Sequence, residues 1–129
     1  MAKILIVDDS SLSRRIMRGI LEPAGHEVGE VADGLAALER YFLDRPDLVL
    51  LDLMMSGMSG LEVLAQLHEL DANVRVVVAT ADIQTSTGVL TRAAGAHSVI
   101  TKPFVPEQVL DAVDVALRAP QRREKGDPQ

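Results

Sequence analysis

At 129 residues the chain suits a single domain, and a compact fold of that size buries roughly two-thirds of its unfolded surface, enough for a self-sufficient core. Thirteen basic against nineteen acidic residues leave a formal charge of −6, and Tyr41, Phe42 and Phe104 are the only aromatics, which argues against phosphate-backbone binding and base stacking. The absence of cysteine excludes disulfides and thiolate metal sites, and no stretch approaches the roughly 20 apolar residues that span a bilayer.

The first aliphatic run, Ile4 to Val7, reads as a strand and stops at Asp8-Asp9. Because it follows Met-Ala-Lys directly and is too short for a signal peptide, a soluble cytoplasmic protein with no membrane partner is expected. Ser10 and Ser11 are candidate caps for a helix in which Leu12, Ile16 and Ile20 recur every four residues. Arg14, Arg15 and Arg18 on that helix form a short basic patch, read as solvated surface. Glu27 to Val31 is a weaker strand, followed by a helix with Leu35, Leu38 and Phe42 on one face that ends near Asp44-Arg45-Pro46. Leu48 to Leu51 is a third strand, closed by Asp52. A loop containing Ser56, Gly57 and Gly60 leads into a helix carrying Leu61, Leu64, Leu67 and Leu70. Val74 to Ala79 is a fourth strand, closed by Thr80, and a more polar helix from about Gln84 to Ala94 stops at Gly95. Ser98 to Thr101 is the last strand, followed by Lys102-Pro103, and a fifth helix begins just past Pro106 with Val109, Val113 and Leu117. Residues 1–118 therefore form the domain, and 119–129 read as a disordered polar tail.

Strand and helix alternate five times. Strands that are continuously apolar rather than alternating are buried on both faces, so the fold class is α/β, a doubly wound five-stranded parallel sheet with helices on both faces. In such a sheet ligands bind at the carboxyl ends of the strands, where the strand order reverses. Four of the five strand ends carry a charged or hydroxyl group after an aliphatic run: Asp8-Asp9, Asp52, Thr80 and Thr101-Lys102-Pro103. In the order 2-1-3-4-5 the first strand lies between the second and third, and Asp8, Asp9 and Asp52 converge.

Three packed carboxylates repel one another unless a cation offsets them. A hard divalent ion such as Mg2+ (or Mn2+) takes oxygen ligands and suits the set. Lys102 adds one positive charge and Thr80 a hydroxyl donor, so nucleophile, metal, cation and donor surround one position, the parts of phosphoryl transfer to a carboxylate. An Asp-Asp pair alone would more simply cap a helix. Met54, Met55 and Met58 read as packing, since thioethers prefer soft metals, and His26, His68 and His97 are scattered without ligand spacing.

The chain resembles a receiver domain of two-component response regulators over about residues 3 to 118. Ile-Leu-Ile-Val-Asp8-Asp9-Ser resembles that family's first motif, and Leu-Val-Leu-Leu-Asp52-Leu-Met-Met-Ser-Gly-Met-Ser-Gly60 its phospho-acceptor loop. Val-Val-Val-Ala-Thr80-Ala and Thr101-Lys102-Pro103-Phe104 resemble its switch-hydroxyl strand and its last motif. The resemblance implies a flavodoxin-like sheet and a set of roles. Asp52 would be the acceptor; Asp9 a direct Mg2+ ligand, Asp8 partly through water, and the Met54 carbonyl the remaining protein ligand. Lys102, Thr80 and the Ala81 backbone would bind phosphate, and Pro103 would follow a cis bond. Met54 and Asp82, two residues after the acceptor and the switch hydroxyl, would tune dephosphorylation.

Two positions depart from the family pattern: Ser56 stands where proline is common, and Val99 where Tyr or Phe is common. The implied protein is a stand-alone, chemotaxis-regulator-like switch rather than an enzyme acting on a separate substrate. Its expected partners are a histidine kinase or histidine phosphotransfer protein, and a downstream protein bound through the face of the fourth helix, fifth strand and fifth helix. It would be a monomer or weak dimer. Two alternatives stand beside it. A degenerate receiver would bind without switching. An aspartyl-phosphate hydrolase of the haloacid dehalogenase kind would need an acid/base Asp two residues after its nucleophile, and Asp52 is followed by Leu53 and Met54.

Overall fold

A computed structural model describes residues 2–55, 57–81 and 95–120. Ser56, Asp82, the predicted helix over 84–94 and tail residues 121–129 lie outside the described residues. The strands are β1 (Lys3–Val7), β2 (Glu27–Val31), β3 (Leu48–Leu51), β4 (Val76–Thr80) and β5 (Ser98–Thr101). The helices are α1 (Ser11–Leu21), α2 (Gly34–Asp44), α3 (Gly60–Leu70) and a C-terminal helix (Pro106–Arg118).

All strands are parallel, in the order β2-β1-β3-β4-β5. β1, β3 and β4 are buried at nearly every position, as both-face coverage requires. Successive side chains go to opposite faces. Ile4, Ile6, Leu48 and Leu50 join Met17 and Leu21 of α1 and Val109, Val113 and Ala116 of the C-terminal helix. Leu5, Val7, Val49 and Leu51 join Ala37 and Tyr41 of α2 and Val63, Leu64 and Leu67 of α3. Each fully buried aliphatic side chain contributes about 1.5–3 kcal/mol.

The helix ends follow local chemistry. Ser10 caps α1 through the Ser13 N–H (3.2 Å), Asp33 caps α2 through Ala36 (2.8 Å), and Ser59 with Glu62 forms a reciprocal capping box on α3. Pro106 opens the C-terminal helix, where its missing N–H leaves no bond unmade.

Three helical faces differ from the sequence expectation, and in α3 Leu64 and Leu67 are buried with Val63 while Leu61 and Leu70 are exposed. In α1, Leu12 and Ile16 are exposed and Met17 and Leu21 are buried; in α2, Leu35 and Phe42 are exposed and Ala37 and Tyr41 are buried. Both α1 and α2 carry apolar residues on two stripes. Burial goes to the stripe that the connections aim at the sheet, whichever stripe holds the larger leucines.

The chain leaves β1 toward β2 on one side and reaches β3 on the other. The reversal point thus lies between the carboxyl ends of β1 and β3.

Candidate functional site

At that reversal point the chain places Asp8 and Asp52 directly after the last residues of β1 and β3. Register makes them neighbours: Val7 lies opposite Leu51, and the Asp52 N–H donates to the Val7 carbonyl at 2.9 Å. Both side chains are buried, each residue only 3% exposed, in positions where the aliphatic sheet supplies no counter-charge. Asp9, the next residue, is exposed at the rim. Asp8, Asp9 and Asp52 each offer a carboxylate oxygen, and the three atoms lie within 4.8 Å of one another.

Lys102 follows β5, two strands from β3, yet its side chain crosses the end of β4 to reach the acids. Its Nζ stands 3.0 Å from Asp8 Oδ2 and 3.4 Å from Asp52 Oδ2. What lies beneath that path is small or buried: Ala79 and Thr80 of β4 are 4% and 1% exposed. The Lys102 N–H donates to the Thr80 carbonyl at 3.0 Å, which ties the end of β5 to the end of β4. The Lys102–Pro103 peptide bond is cis, and Lys102 Nζ lies 6.0 Å from the centre of the Phe104 ring.

Electrostatics follow from this enclosure. Burial pushes the Asp52 carboxyl above the usual carboxylate range; the Met54 N–H opposes that, the Asp8 charge adds to it, and the Lys102 ammonium opposes it. Burial alone would lower the Lys102 ammonium, but its bonds and charge interactions with Asp8 and Asp52 outweigh that and hold it above the ordinary lysine value.

The loop after β3 completes the wall. Met54 donates its N–H to Asp52 Oδ1 at 3.1 Å while its side chain projects into solvent. Gly60, the first residue of α3, lies so close that a Cβ would stand 2.5 Å from Leu53 Cα and 2.7 Å from the Asp52 carbonyl oxygen. Only glycine lets α3 begin against the Asp52 backbone.

On the other side Ser10 donates its N–H to Asp8 Oδ1 at 2.9 Å, and Arg14 Nη1 donates to the Asp8 carbonyl at 2.6 Å. Arg14 Nε and Arg18 Nε grip Glu30 of β2 at 3.0 and 2.5 Å. The Arg18 bond is the main influence holding the Glu30 carboxyl below its ordinary range. Arg14 is thus a clamp on the peptide between the two acids rather than the solvated charge that its helical position suggests. The Asp8–Lys102 pair is equally invisible from strand-end reasoning, because β5 and β1 are not neighbours. An arginine five residues after Asp9 on a capped helix is the one sequence signal that points to the clamp.

Val99, on β5, is half-buried and packs against the α2–α3 side of the core; Ala81 is exposed beyond the end of β4. Asp8, Asp9, Asp52, Met54, Thr80 and Lys102 therefore gather at one end of the sheet. The donor set is all oxygen and fits a hard divalent cation. Three carboxylates against one ammonium leave two negative charges, which the two positive charges of one such ion would balance.

The family model described as response regulator receiver domain matches residues 4–114. Chemotaxis protein CheY of Thermotoga maritima is 34% identical over 113 residues, covering 87% of this chain and 94% of the relative. Sporulation initiation phosphotransferase F of Bacillus subtilis is 37% identical over 111 residues, covering 86% and 90%. Among solved structures, the CheX-CheY-BeF3-Mg2+ complex from Borrelia burgdorferi matches with a TM-score of 0.83 and 31% identity, covering 86% of this chain and 85% of that one.

Proposed function

The chain belongs to the response regulator receiver domain family, and from that premise we propose that it is a phosphorylation switch whose acceptor is Asp52. One observation carries the reading: a buried strand-end carboxylate with an ammonium at 3.4 Å and two further acids within ligand distance. Residues 1–118 constitute the switch domain.

In this reading Asp8, Asp9, Asp52 and the Met54 carbonyl would hold Mg2+ or Mn2+. When bound, the ion offsets charge on the transferring phosphoryl group and lets the carboxylates approach it. An Asp52 carboxylate oxygen attacks the phosphorus of a phosphohistidine on a kinase or phosphotransfer protein, or of a small acyl phosphate. With phosphohistidine the new O–P bond forms as the N–P bond breaks, and the imidazole leaves with its electron pair and takes a proton from solvent; with an acyl phosphate the P–O bond to the acyl oxygen breaks and the carboxylate leaves with the pair.

The phosphoryl group adds roughly −2 in charge at pH 7 where one carboxylate charge stood. Lys102 already bridges Asp8 and Asp52 and moves onto the phosphoryl oxygens, with the Thr80 hydroxyl and the Ala81 N–H as further donors. Thr80 and Lys102 sit on the ends of β4 and β5, so that movement biases the surface those strands carry. Between β5 and the C-terminal helix lies a groove of about 350 Å3, lined in part by Val99, Thr101, Ala112 and the exposed Val115. It is the proposed contact for a downstream protein in the cytoplasm, with the chain a monomer or weak dimer. CheY of Borrelia burgdorferi, solved with CheX, BeF3 and Mg2+, supports both the ion and signalling by protein contact.

Intact mass after incubation with acetyl phosphate tests the reading. A gain of one phosphoryl group that needs Mg2+ and disappears in Asp52→Ala is expected. No gain in a folded protein overturns it in favour of a receiver that binds without switching.

A further inference from the structure

We propose that the groove between α2 and α3 is a docking site for a basic amphipathic helix of a partner protein, and that this contact does not depend on the state of Asp52. The outer surface of these helices carries large apolar side chains that the core does not use. Leu35 and Phe42 are 71% and 62% exposed, and Leu43 and Leu70 are exposed as well. Leu35, Leu38 and Phe42 fall at i, i+3 and i+7, one stripe of a helix. Phe42 and the half-buried Leu38 of that stripe wall a groove of about 380 Å3 lined by Leu38, Glu39, Phe42, Gln66, Glu69 and Leu70, with Leu38 also packing against the core beneath.

The walls are fastened at both ends. Toward the strand carboxyl ends, Gly34 lets α2 close on α3, since a Cβ there would stand 2.7 Å from Val63 Cγ2. Toward the far end, the Tyr41 hydroxyl donates to Asp71 Oδ2 at 2.7 Å, and Arg45 pairs with the same oxygen at 3.6 Å while its guanidinium lies 5.6 Å from the Tyr41 ring centre. A helix entering here meets walls already in place, which reduces the ordering cost of binding. None of the fastening or lining residues belongs to the Asp52 site, which is why the contact is expected in either phosphorylation state.

The rim selects the occupant. Glu39 and Glu69 flank the apolar floor, and among the described residues no Lys or Arg lines the groove. Such a rim repels anionic lipid and nucleic acid. A two-fold pairing of this chain with itself would set the same glutamates against each other. A head-to-tail pairing through exposed Leu12, Arg15 and Ile16 of α1 would be heterologous, building rings or open chains, and would set a single basic side chain against the two glutamates. The remaining fit is a foreign helix with an apolar i, i+3/i+4, i+7 stripe and Lys or Arg on its flanks.

The test is titration of the full chain with a synthetic helix of about 18 residues, leucines on one stripe and lysines on both flanks, followed by amide chemical shifts. Shifts centred on Leu38, Phe42, Gln66 and Leu70 are expected, with Phe42→Lys weakening binding at least about tenfold, as loss of a central anchor does. Glu69→Lys also weakens it, while Val115→Lys and Asp52→Ala leave it unchanged. Phe42 is exposed, so its variant folds, and an unchanged thermal midpoint verifies this. Equal loss in Val115→Lys would mean general attraction to an acidic chain and overturn the site. Sensitivity to Asp52→Ala would overturn its independence from the switch. Self-association in sedimentation that Phe42→Lys removes would make a second copy the occupant.

Discussion

Two acidic regions of this molecule use the same functional group in opposite ways. Asp8 and Asp52 sit at strand ends, 3% exposed, bridged by one ammonium. Glu39 and Glu69 stand on helix surfaces facing water. Water solvates the glutamates, so their charge acts only on what approaches from outside, and salt screens it. The strand-end aspartates have lost most of that solvation. Their charge must be met by Lys102, by a metal ion or by a proton, and that demand is what the proposed phosphoryl transfer at Asp52 would draw on.

The largest expected break of this contrast is Lys102→Ala. Removing the one ammonium leaves two buried carboxylates facing each other, and loss of one partner of a buried pair costs about 3 kcal/mol. Urea unfolding at pH 7 in EDTA measures it, and an unchanged midpoint would mean that the pair is not structural. Glu69→Gln in the same assay should change the stability by no more than about 0.5 kcal/mol.

Next in size is the metal. With Mg2+ at a hundredfold excess over its dissociation constant, the parent should gain about 2.7 kcal/mol by mass action. Asp9→Asn, which removes an expected ligand while leaving Asp8, Asp52 and Lys102 in place, should lose most of that gain, and Glu39→Gln none of it. Thermal unfolding with and without Mg2+ gives both values.

Asp52→Asn sharpens the comparison by reversing the usual sign. The folded carboxyl is raised above its unfolded value, so the folded state holds its proton more tightly and ionisation at neutral pH works against folding. In metal-free buffer at pH 7 the variant should therefore be more stable than the parent, by on the order of 1 kcal/mol. The gain is full above the raised value and shrinks as pH falls through it into the ordinary carboxylate range. A variant less stable than the parent at pH 7 would refute it.

The smallest effect concerns the clamp. Arg14→Met removes the donor to the Asp8 carbonyl and the grip on Glu30, leaving the acids themselves intact. Mg2+ affinity by calorimetry should weaken about threefold, near the worth of one modest hydrogen bond, with little change in metal-free stability.

Much of the fold was legible in the sequence because buried parallel strands must be continuously aliphatic. Ile4–Val7 and Leu48–Leu51 admit no other reading beside helices of this spacing. The helical faces were less legible. Leu35, Leu38 and Phe42 form a true apolar stripe, but the sheet buries Ala37 and Tyr41 instead, and periodicity cannot choose between two stripes on one helix. Of that stripe, exposed Phe42 and half-buried Leu38 line the α2–α3 groove. That Asp8, Asp52 and Thr80 gather at one end of the sheet was legible because each follows an aliphatic run at the carboxyl end of its strand.

The sequence by itself therefore determined the alternation of elements, the parallel sheet and the identity of the charged strand ends, because these depend on local pattern and solvation. Only the tertiary structure decided that Lys102 crosses β4 to pair with Asp8 as well as Asp52, that Arg14 clamps the Asp8 carbonyl, and which face of α1 and α2 meets water. Those facts depend on residues distant in the chain being brought within a few ångströms, and hydrophobic spacing along one segment carries no information about what another segment places beside it.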